Sequence, residues 1–415
     1  MKKNLYNIKK CHHTSKIFQG YSISRNNDEI PLINVSPGPA PIKKEVIKNF
    51  LNDFTDKNNI YTFGNTPLEM SHRSPEFNSI LKNLNQKIRN FMEIPNCFNI
   101  IWTQGGGHGQ FSAIPLNMKT IDNFKKAGYI VNGTWSLRAY NESKRFIDTT
   151  NILENYYKDI NVMEYKKLPE SIEIPDGLDY VYLCSNETVN GIEFKNSYLS
   201  REQLKGAKLI IDMSSDFLMK KINWHNLDIA FACTSKNMGI AGANILIIRK
   251  DIIDELKDVN RIPCTQDWKL YDKNESLYNT PAIFNLYLLD KIMNNYRKKM
   301  DTIDNMNKYS ETKSSLIYNF LDNNEIFKPV IQHISSRSIV NVPFIVDNGN
   351  EETMSNFLEF CYYHNVVGIR TLTPFSYKTL GLVEPLRISL YNGISVNDVK
   401  YIIEIMKLFI ININK

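Results

Sequence analysis

Short apolar runs that break into glycine, serine or charged residues recur through the first two thirds of the chain. Residues 99–104 (NIIWTQ), 127–133 (AGYIVNG), 180–184 (YVYLC), 208–211 (KLII), 228–233 (DIAFAC) and 244–249 (NILIIR) are of this kind. Runs of this length, rich in Ile, Val and Tyr and flanked by turn residues, predict strands covered on both faces. Between them the apolar spacing lengthens to that of a helix. Val46, Ile47, Phe50 and Leu51 mark one helix over 43–54, and a second stripe over 77–92 follows the start signal Ser74-Pro75-Glu76. A third helix is predicted at 283–293. Beyond about residue 296 the pattern shifts to long helices with short strands at 338–346 and 388–391. It ends in an amphipathic helix over 399–413, interrupted by Glu404 and Lys407. The alternation predicts an α/β chain with a large domain over 31–295 and a smaller C-terminal α/β domain over 296–415.

Composition narrows the classes. A net charge of +6 spread along 415 residues fits an anionic small substrate without demanding one, and no aromatic-basic cluster argues for nucleic acid. No apolar run approaches the roughly eighteen residues of a membrane span. The six cysteines, at positions 11, 97, 184, 233, 264 and 361, form no CxxC pair, which points to a reducing compartment and no structural zinc. Residues 1–30 carry five lysines before the first acid, Asp28, and read as a basic, weakly ordered leader. A cytoplasmic protein is the expectation, with organellar targeting by this leader as the alternative.

The chemistry concentrates in residues 208–250. Asp212 closes one predicted strand, and Ser235 and Lys236 follow another. Ionisable groups at such strand ends face the crevice where an open α/β sheet binds its ligand. A lone Asp/Lys pair is most often just two polar strand ends, but an amine and a carboxylate there suit pyridoxal 5′-phosphate. The amine attaches to the cofactor, and the carboxylate keeps the pyridine nitrogen protonated. Other strand ends add to the site. Gly105, Gly106 and Gly107 precede His108 between a strand and a helix, where backbone N–H groups can approach a phosphate. Trp135 is either core packing or a flat surface for a pyridine ring. The loop SNETVNG after Cys184 offers Thr188, and Asn279-Thr280 precede the helix at 283. His72 and Arg73, beside a helix start, are anion ligands or ordinary surface donors.

Taken together, the segments INVSPGPAP, EMSHRS, QGGGHGQFSAIPLN, NGTWSLRAYNESKRF, SNETVNGIEF, IDMSSDF, SKNMGIAGANILIIRKD, YNTP, NVPF and RISLYN resemble the phosphoserine aminotransferases. These are class V members of the fold-type I pyridoxal-phosphate enzymes, and the motifs keep the family's order from residue 33 to about 411. The resemblance implies a large domain with a mixed, mostly parallel sheet, a smaller C-terminal domain, and a homodimer with shared active sites. It implies Lys236 as the catalytic lysine that binds the cofactor, Asp212 as partner of the ring nitrogen, Trp135 stacked on the ring and Thr188 near its phenolic oxygen. Gly106, Gly107, His108 and Ser235 fall in the phosphate and cofactor surround, with Asn279 and Thr280 reaching it from the partner subunit. His72, Arg73 and His108 would contact the substrate, and Arg387 would clamp its carboxylate, a task suited to a planar two-pronged donor. The implied reaction transfers an amino group from glutamate to 3-phosphohydroxypyruvate, giving phosphoserine and 2-oxoglutarate in serine biosynthesis.

Three departures bear on that implication. His108 stands where the family has arginine, and Ser235 where it commonly has glutamine. Residues 368–387 read GIRTLTPFSYKTLGLVEPLR and lack the family's His-Arg pair for the substrate phosphate, leaving Arg370 and Lys378 as candidate substitutes. Each charge-assisted bond lost costs about 1.5–3 kcal/mol, enough to alter substrate preference. Two alternatives therefore stand beside the first reading: a drifted class V aminotransferase acting on an unphosphorylated, small anionic 2-oxo acid, and a non-catalytic homodimeric scaffold.

Overall fold

A computed structural model describes residues 32–55, 69–195, 199–258, 262–369 and 380–413. The predicted leader, Arg370 and Lys378 lie outside them. The central layer is a seven-stranded sheet made of β1 (Phe98–Thr103), β2 (Lys126–Ile130), β3 (Asp148–Asn151), β4 (Tyr180–Cys184), β5 (Lys208–Asp212), β6 (Ile229–Cys233) and β7 (Asn244–Arg249). Their order is β1-β7-β6-β5-β4-β2-β3, with β7 antiparallel to both neighbours and every other pairing parallel. Every residue of β4 and β6 is buried, which explains why those runs are apolar throughout rather than alternating.

The longer helices among the described residues are α1 (Lys44–Thr55), α2 (Pro75–Phe91), α3 (Gly106–Met118), α4 (Thr134–Ser143), α5 (Ile283–Met300), α6 (Ile303–Asp322), α7 (Glu351–Tyr363) and α8 (Val396–Ile413). The Ser74 side chain accepts from Phe77 N at 3.2 Å, so the start read from Ser74-Pro75 is an N-cap followed by proline in the first turn. Its apolar stripe, Phe77, Leu81, Leu84 and Ile88, is buried, and α2 packs along α5. A second, antiparallel sheet joins β8 (Phe327–Pro329), β9 (Asn341–Val346) and β10 (Leu386–Ser389). Around it Phe327, Phe357 and Phe409 meet edge to face or tilted, the closest pair with centroids 4.9 Å apart. Among the described residues no helix is long and apolar enough to cross a membrane.

Several boundaries differ from the sequence reading. β2 stops at Ile130, and residues 131–133 turn into α4, so Trp135 lies in a helix's first turn rather than at a strand end. Strand 388–391 begins earlier, which places Arg387 inside β10 opposite Pro343. The domain division expected at residue 295 falls within α5, which continues to Met300.

One polar side chain sits deep in the second layer. Lys313 of α6 is fully buried, and burial pushes its ammonium down to about 7, helped by Lys43 and opposed by Asp398. The unfolded chain, with an ordinary lysine, holds that proton up to about 10.5. Between those values the unfolded state binds more protons, so stability rises with pH through the window, by at most about 1.4 kcal/mol per pH unit. Lys313→Met removes this contribution. Urea unfolding at pH 6.5 and pH 9 is expected to show wild type gaining stability relative to the variant as pH rises, and a pH-independent difference contradicts the assignment.

Candidate active site

β1, β2, β4, β5 and β6 run in the same direction, and at the C-terminal end of each the chain enters a glycine-rich or polar turn. Residues from all five turns line one cavity of about 250 Å³, the position at which an open α/β sheet binds ligands. Gly105 makes the first turn with φ 90°, and a Cβ there would lie 3.3 Å from the Gly109 Cα, so the turn into α3 requires glycine. Having no side chain, Gly105 leaves α3 uncapped, and the leading N–H groups of the helix stay available to an anion.

Asp212 and Lys236 both line this cavity. Asp212 is 4% exposed, and its carboxylate accepts from Ser214 N at 2.8 Å and from the Tyr182 hydroxyl at 3.3 Å. Burial pushes this carboxyl up from its ordinary value, against the pull of Ser214 and Lys236. Burial pulls Lys236 down, but Tyr391, Cys233 and Asp212 together outweigh it and hold the amine above the ordinary lysine value. The Lys236 Nζ stands 5.5 Å from the centre of the Trp135 ring. Trp135 is gripped at its tip, where Nε1 donates to the Thr188 hydroxyl at 2.6 Å, and the His108 ring meets it edge-on at 5.7 Å.

A second layer fixes these groups. The Glu187 carboxylate, fully buried, accepts from Trp135 N at 2.9 Å and from Ser136 N and Oγ at 2.7 Å, acting as the anionic cap of α4. Burial pushes Glu187 up, and the bonds from Ser136 and Trp135 oppose that shift. Gly133 is forced by the same contact, because a Cβ there would lie 2.4 Å from the Glu187 Cγ. Asn186 donates to the Ser215 hydroxyl at 2.7 Å and to the Asn341 side chain at 2.9 Å, tying the cavity wall to β9. Arg387, buried in β10, donates Nη1 to the Thr188 carbonyl. A wider groove of about 700 Å³ lies elsewhere, with Lys220 paired to Glu193 at 3.2 Å and Arg337 to Asp322 at 2.6 Å.

With this geometry in hand, relatives are informative. The aminotransferase class-V family pattern matches residues 32–402. Phosphoserine aminotransferase of Buchnera aphidicola is 33% identical over 91% of this chain and 98% of its own. A probable phosphoserine aminotransferase of Caenorhabditis elegans is 32% identical over 88% and 93%. The chain belongs to the class-V aminotransferases, within the phosphoserine aminotransferase family. Among solved structures, the PLP-bound phosphoserine aminotransferase of Trichomonas vaginalis superposes with a TM-score of 0.80 at 28% identity, covering 90% of this chain and 99% of that one.

Within this family member, Gly106, Gly107, His108, Trp135, Asp212, Ser235 and Lys236 come together around the cavity, with Thr188 one hydrogen bond away through Trp135. His72, Arg73, Asn279 and Thr280 are not among the residues lining it. Asn279 accepts from the Tyr271 hydroxyl at 2.9 Å, and the Thr280 carbonyl accepts from Gln104 at 2.7 Å. The loop 185–191 reads as a source of hydroxyl and amide donors, but the cap made by Glu187 and the links from Asn186 to Ser215 and Asn341 are not legible in the sequence, because they depend on contacts between distant segments. Tyr182 had one legible signal, a hydroxyl two residues before the end of its strand, shared with Tyr180 at the strand's start. Replacing Glu187 with alanine leaves the N–H groups of Trp135 and Ser136 without their acceptor, while the Ser136 hydroxyl keeps the Gly133 carbonyl at 3.1 Å, and is expected to cost about 2–4 kcal/mol in urea unfolding. A loss within experimental error contradicts the capping role.

Proposed function

We propose that this chain is a pyridoxal 5′-phosphate-dependent phosphoserine aminotransferase, moving the amino group of glutamate to 3-phosphohydroxypyruvate and releasing 2-oxoglutarate and phosphoserine. The observation that carries the reading is a half-buried amine and a buried carboxylate lining one cavity at the ends of parallel strands, with an indole beside the amine. The residues present suit the cofactor. The uncapped helix start at Gly106 and Gly107 matches a phosphate, and a carboxylate raised by burial gains from a protonated ring nitrogen. Bound in that cavity, the cofactor supplies an electron sink for charge developing at the substrate α-carbon.

Each chain residue then has a task. Asp212 supplies the negative charge that keeps the ring nitrogen protonated, and Trp135, held by Thr188, packs against the ring and restricts its tilt. With the cofactor bound, Lys236 would act in its neutral-amine form to move the proton held at the substrate α-carbon, with Ser235 and His108 beside it at the cavity edge. Arg387 pairs with the substrate carboxylate. His72, Arg73, Asn279 and Thr280 serve the neighbouring site of a homodimer, where His72 and Arg73 meet the substrate phosphate and Asn279 and Thr280 the cofactor phosphate. In this reading a large domain ending near residue 295, its last helix α5 running on to Met300, carries the lysine, and a smaller one beyond it carries Arg387. The protein works in the cytoplasm, with organellar targeting as the second reading, since a relative named as chloroplastic from Arabidopsis thaliana is 31% identical.

Adding phosphoserine, and separately serine, to cofactor-loaded protein tests the substrate. Loss of the visible absorbance with phosphoserine alone is expected. Loss with serine alone assigns an unphosphorylated 2-oxo acid, and no response to either contradicts aminotransferase activity. Lys236→Ala is expected to lower kcat by at least about 10²-fold, measured in the coupled transamination assay.

A further inference from the structure

Lys313 presents an oddity that the amino transfer itself does not use. A lysine with no exposed surface, on the inner face of α6 beside Ser310, Ser314 and Ile317, ordinarily needs a carboxylate partner. Its Nζ donates instead to two consecutive backbone carbonyls, Leu390 at 2.7 Å and Tyr391 at 3.0 Å. The remaining groups that face it are the Tyr309 ring at 5.4 Å, Lys43 and Asp398. Lys43 stands over the same tyrosine ring at 6.0 Å, so the surroundings do not offset the charge with an adjacent anion. A methionine fits such a position at far lower desolvation cost, and what lysine adds is a cluster of donors on a long stem.

Those two carbonyls open a corner, residues 390–392, that immediately follows β10 and therefore Arg387. The same corner is bonded to both flanks of Lys236. On one side, the Tyr391 hydroxyl donates to the Pro37 carbonyl at 2.8 Å, and three residues on from Pro37 the Ala40 N donates to the Ser235 carbonyl at 2.8 Å. On the other, Asn392 N donates to the Asn237 side chain at 3.1 Å, and Asn237 in turn donates to the Ser215 carbonyl at 2.7 Å. Asn392 also donates to the Leu218 carbonyl at 3.1 Å. One buried amine thus holds the corner through which the strand carrying Arg387 and the turn carrying Lys236 are tied to each other.

We propose that Lys313 is a positioning residue for amino transfer: by clamping the carbonyls of 390 and 391 it sets the placement of Arg387 relative to Lys236. This rests on the function proposed above. In that reaction the substrate is held by its carboxylate at one end and must present its α-carbon proton to the lysine, so small errors in this spacing act on the rate.

The test uses full-length, cofactor-loaded enzyme and the single-turnover reaction with glutamate, with rates normalised to the cofactor-loaded fraction measured by absorbance, so that unfolded protein does not count. Lys313→Met is expected to load cofactor and to lose at least about tenfold in the rate constant per unit glutamate concentration. Asn392→Ala loosens the corner from its other end, so the double variant is expected to lose less than the product of the two single losses. Wild-type rates in Lys313→Met, or independent effects in the double variant, overturn the proposal even if stability changes. Should Lys313→Met fail to load cofactor, Lys313→Gln, which keeps donors and drops the charge, decides by the same comparison. Wild-type enzyme that neither loads cofactor nor reacts with glutamate rejects the underlying function instead.

Discussion

Two opposite ionisable groups share one small cavity without being spent on each other. Asp212 is buried at the end of β5 and takes its hydrogen bonds from Ser214 and Tyr182, while Lys236 faces the indole of Trp135 one strand away. Burying a carboxylate and an amine is costly, and a direct salt bridge is the usual compensation. Here, among the described residues, no salt bridge joins them, so their charges remain directed at the space between. Much of the surrounding structure follows from keeping them apart and aligned. The sheet must be parallel through β4, β5 and β6 so that the strand ends meet at one edge, and the turns must be rigid.

Buried polar contacts hold those turns in place. Glu187 caps α4 and fixes Trp135 at its backbone while Thr188, the next residue, fixes the same side chain at its tip. Asn186 joins Ser215 to Asn341, and Arg387 reaches Thr188 from β10. Buried networks of this kind specify a single arrangement, and each member removed leaves a buried partner unpaired. Lys313 extends the same logic into the second layer, where a buried amine holds a corner of backbone rather than another side chain.

Most of the large sheet was legible because its strands are short, apolar and bounded by turn residues. The runs at 180–184 and 244–249 coincide with β4 and β7. Periodicity also marked α2 and the C-terminal helix. The end of β2 was not legible: Val131 and Asn132 extend an apolar run with strand character, but the Ser136 hydroxyl captures the N–H groups of Asn132 and Gly133 and turns the chain into α4. The cavity-lining residues announced themselves by type and position, an acid and a lysine after strands and glycines before a helix. Glu187 and Lys313 did not, since their meaning lies in partners 51 and 77 residues away.

The central claim is that Lys236 is the amine presented to a pyridoxal ring opposite Asp212. Incubation of the purified protein with pyridoxal 5′-phosphate, reduction with borohydride and mass spectrometry of the digested chain tests it directly. The account predicts one stable phosphopyridoxyl label on the peptide containing Lys236, lost in Lys236→Ala and weakened in Asp212→Ala. A label distributed over surface lysines, or one unchanged by replacing Lys236, contradicts it.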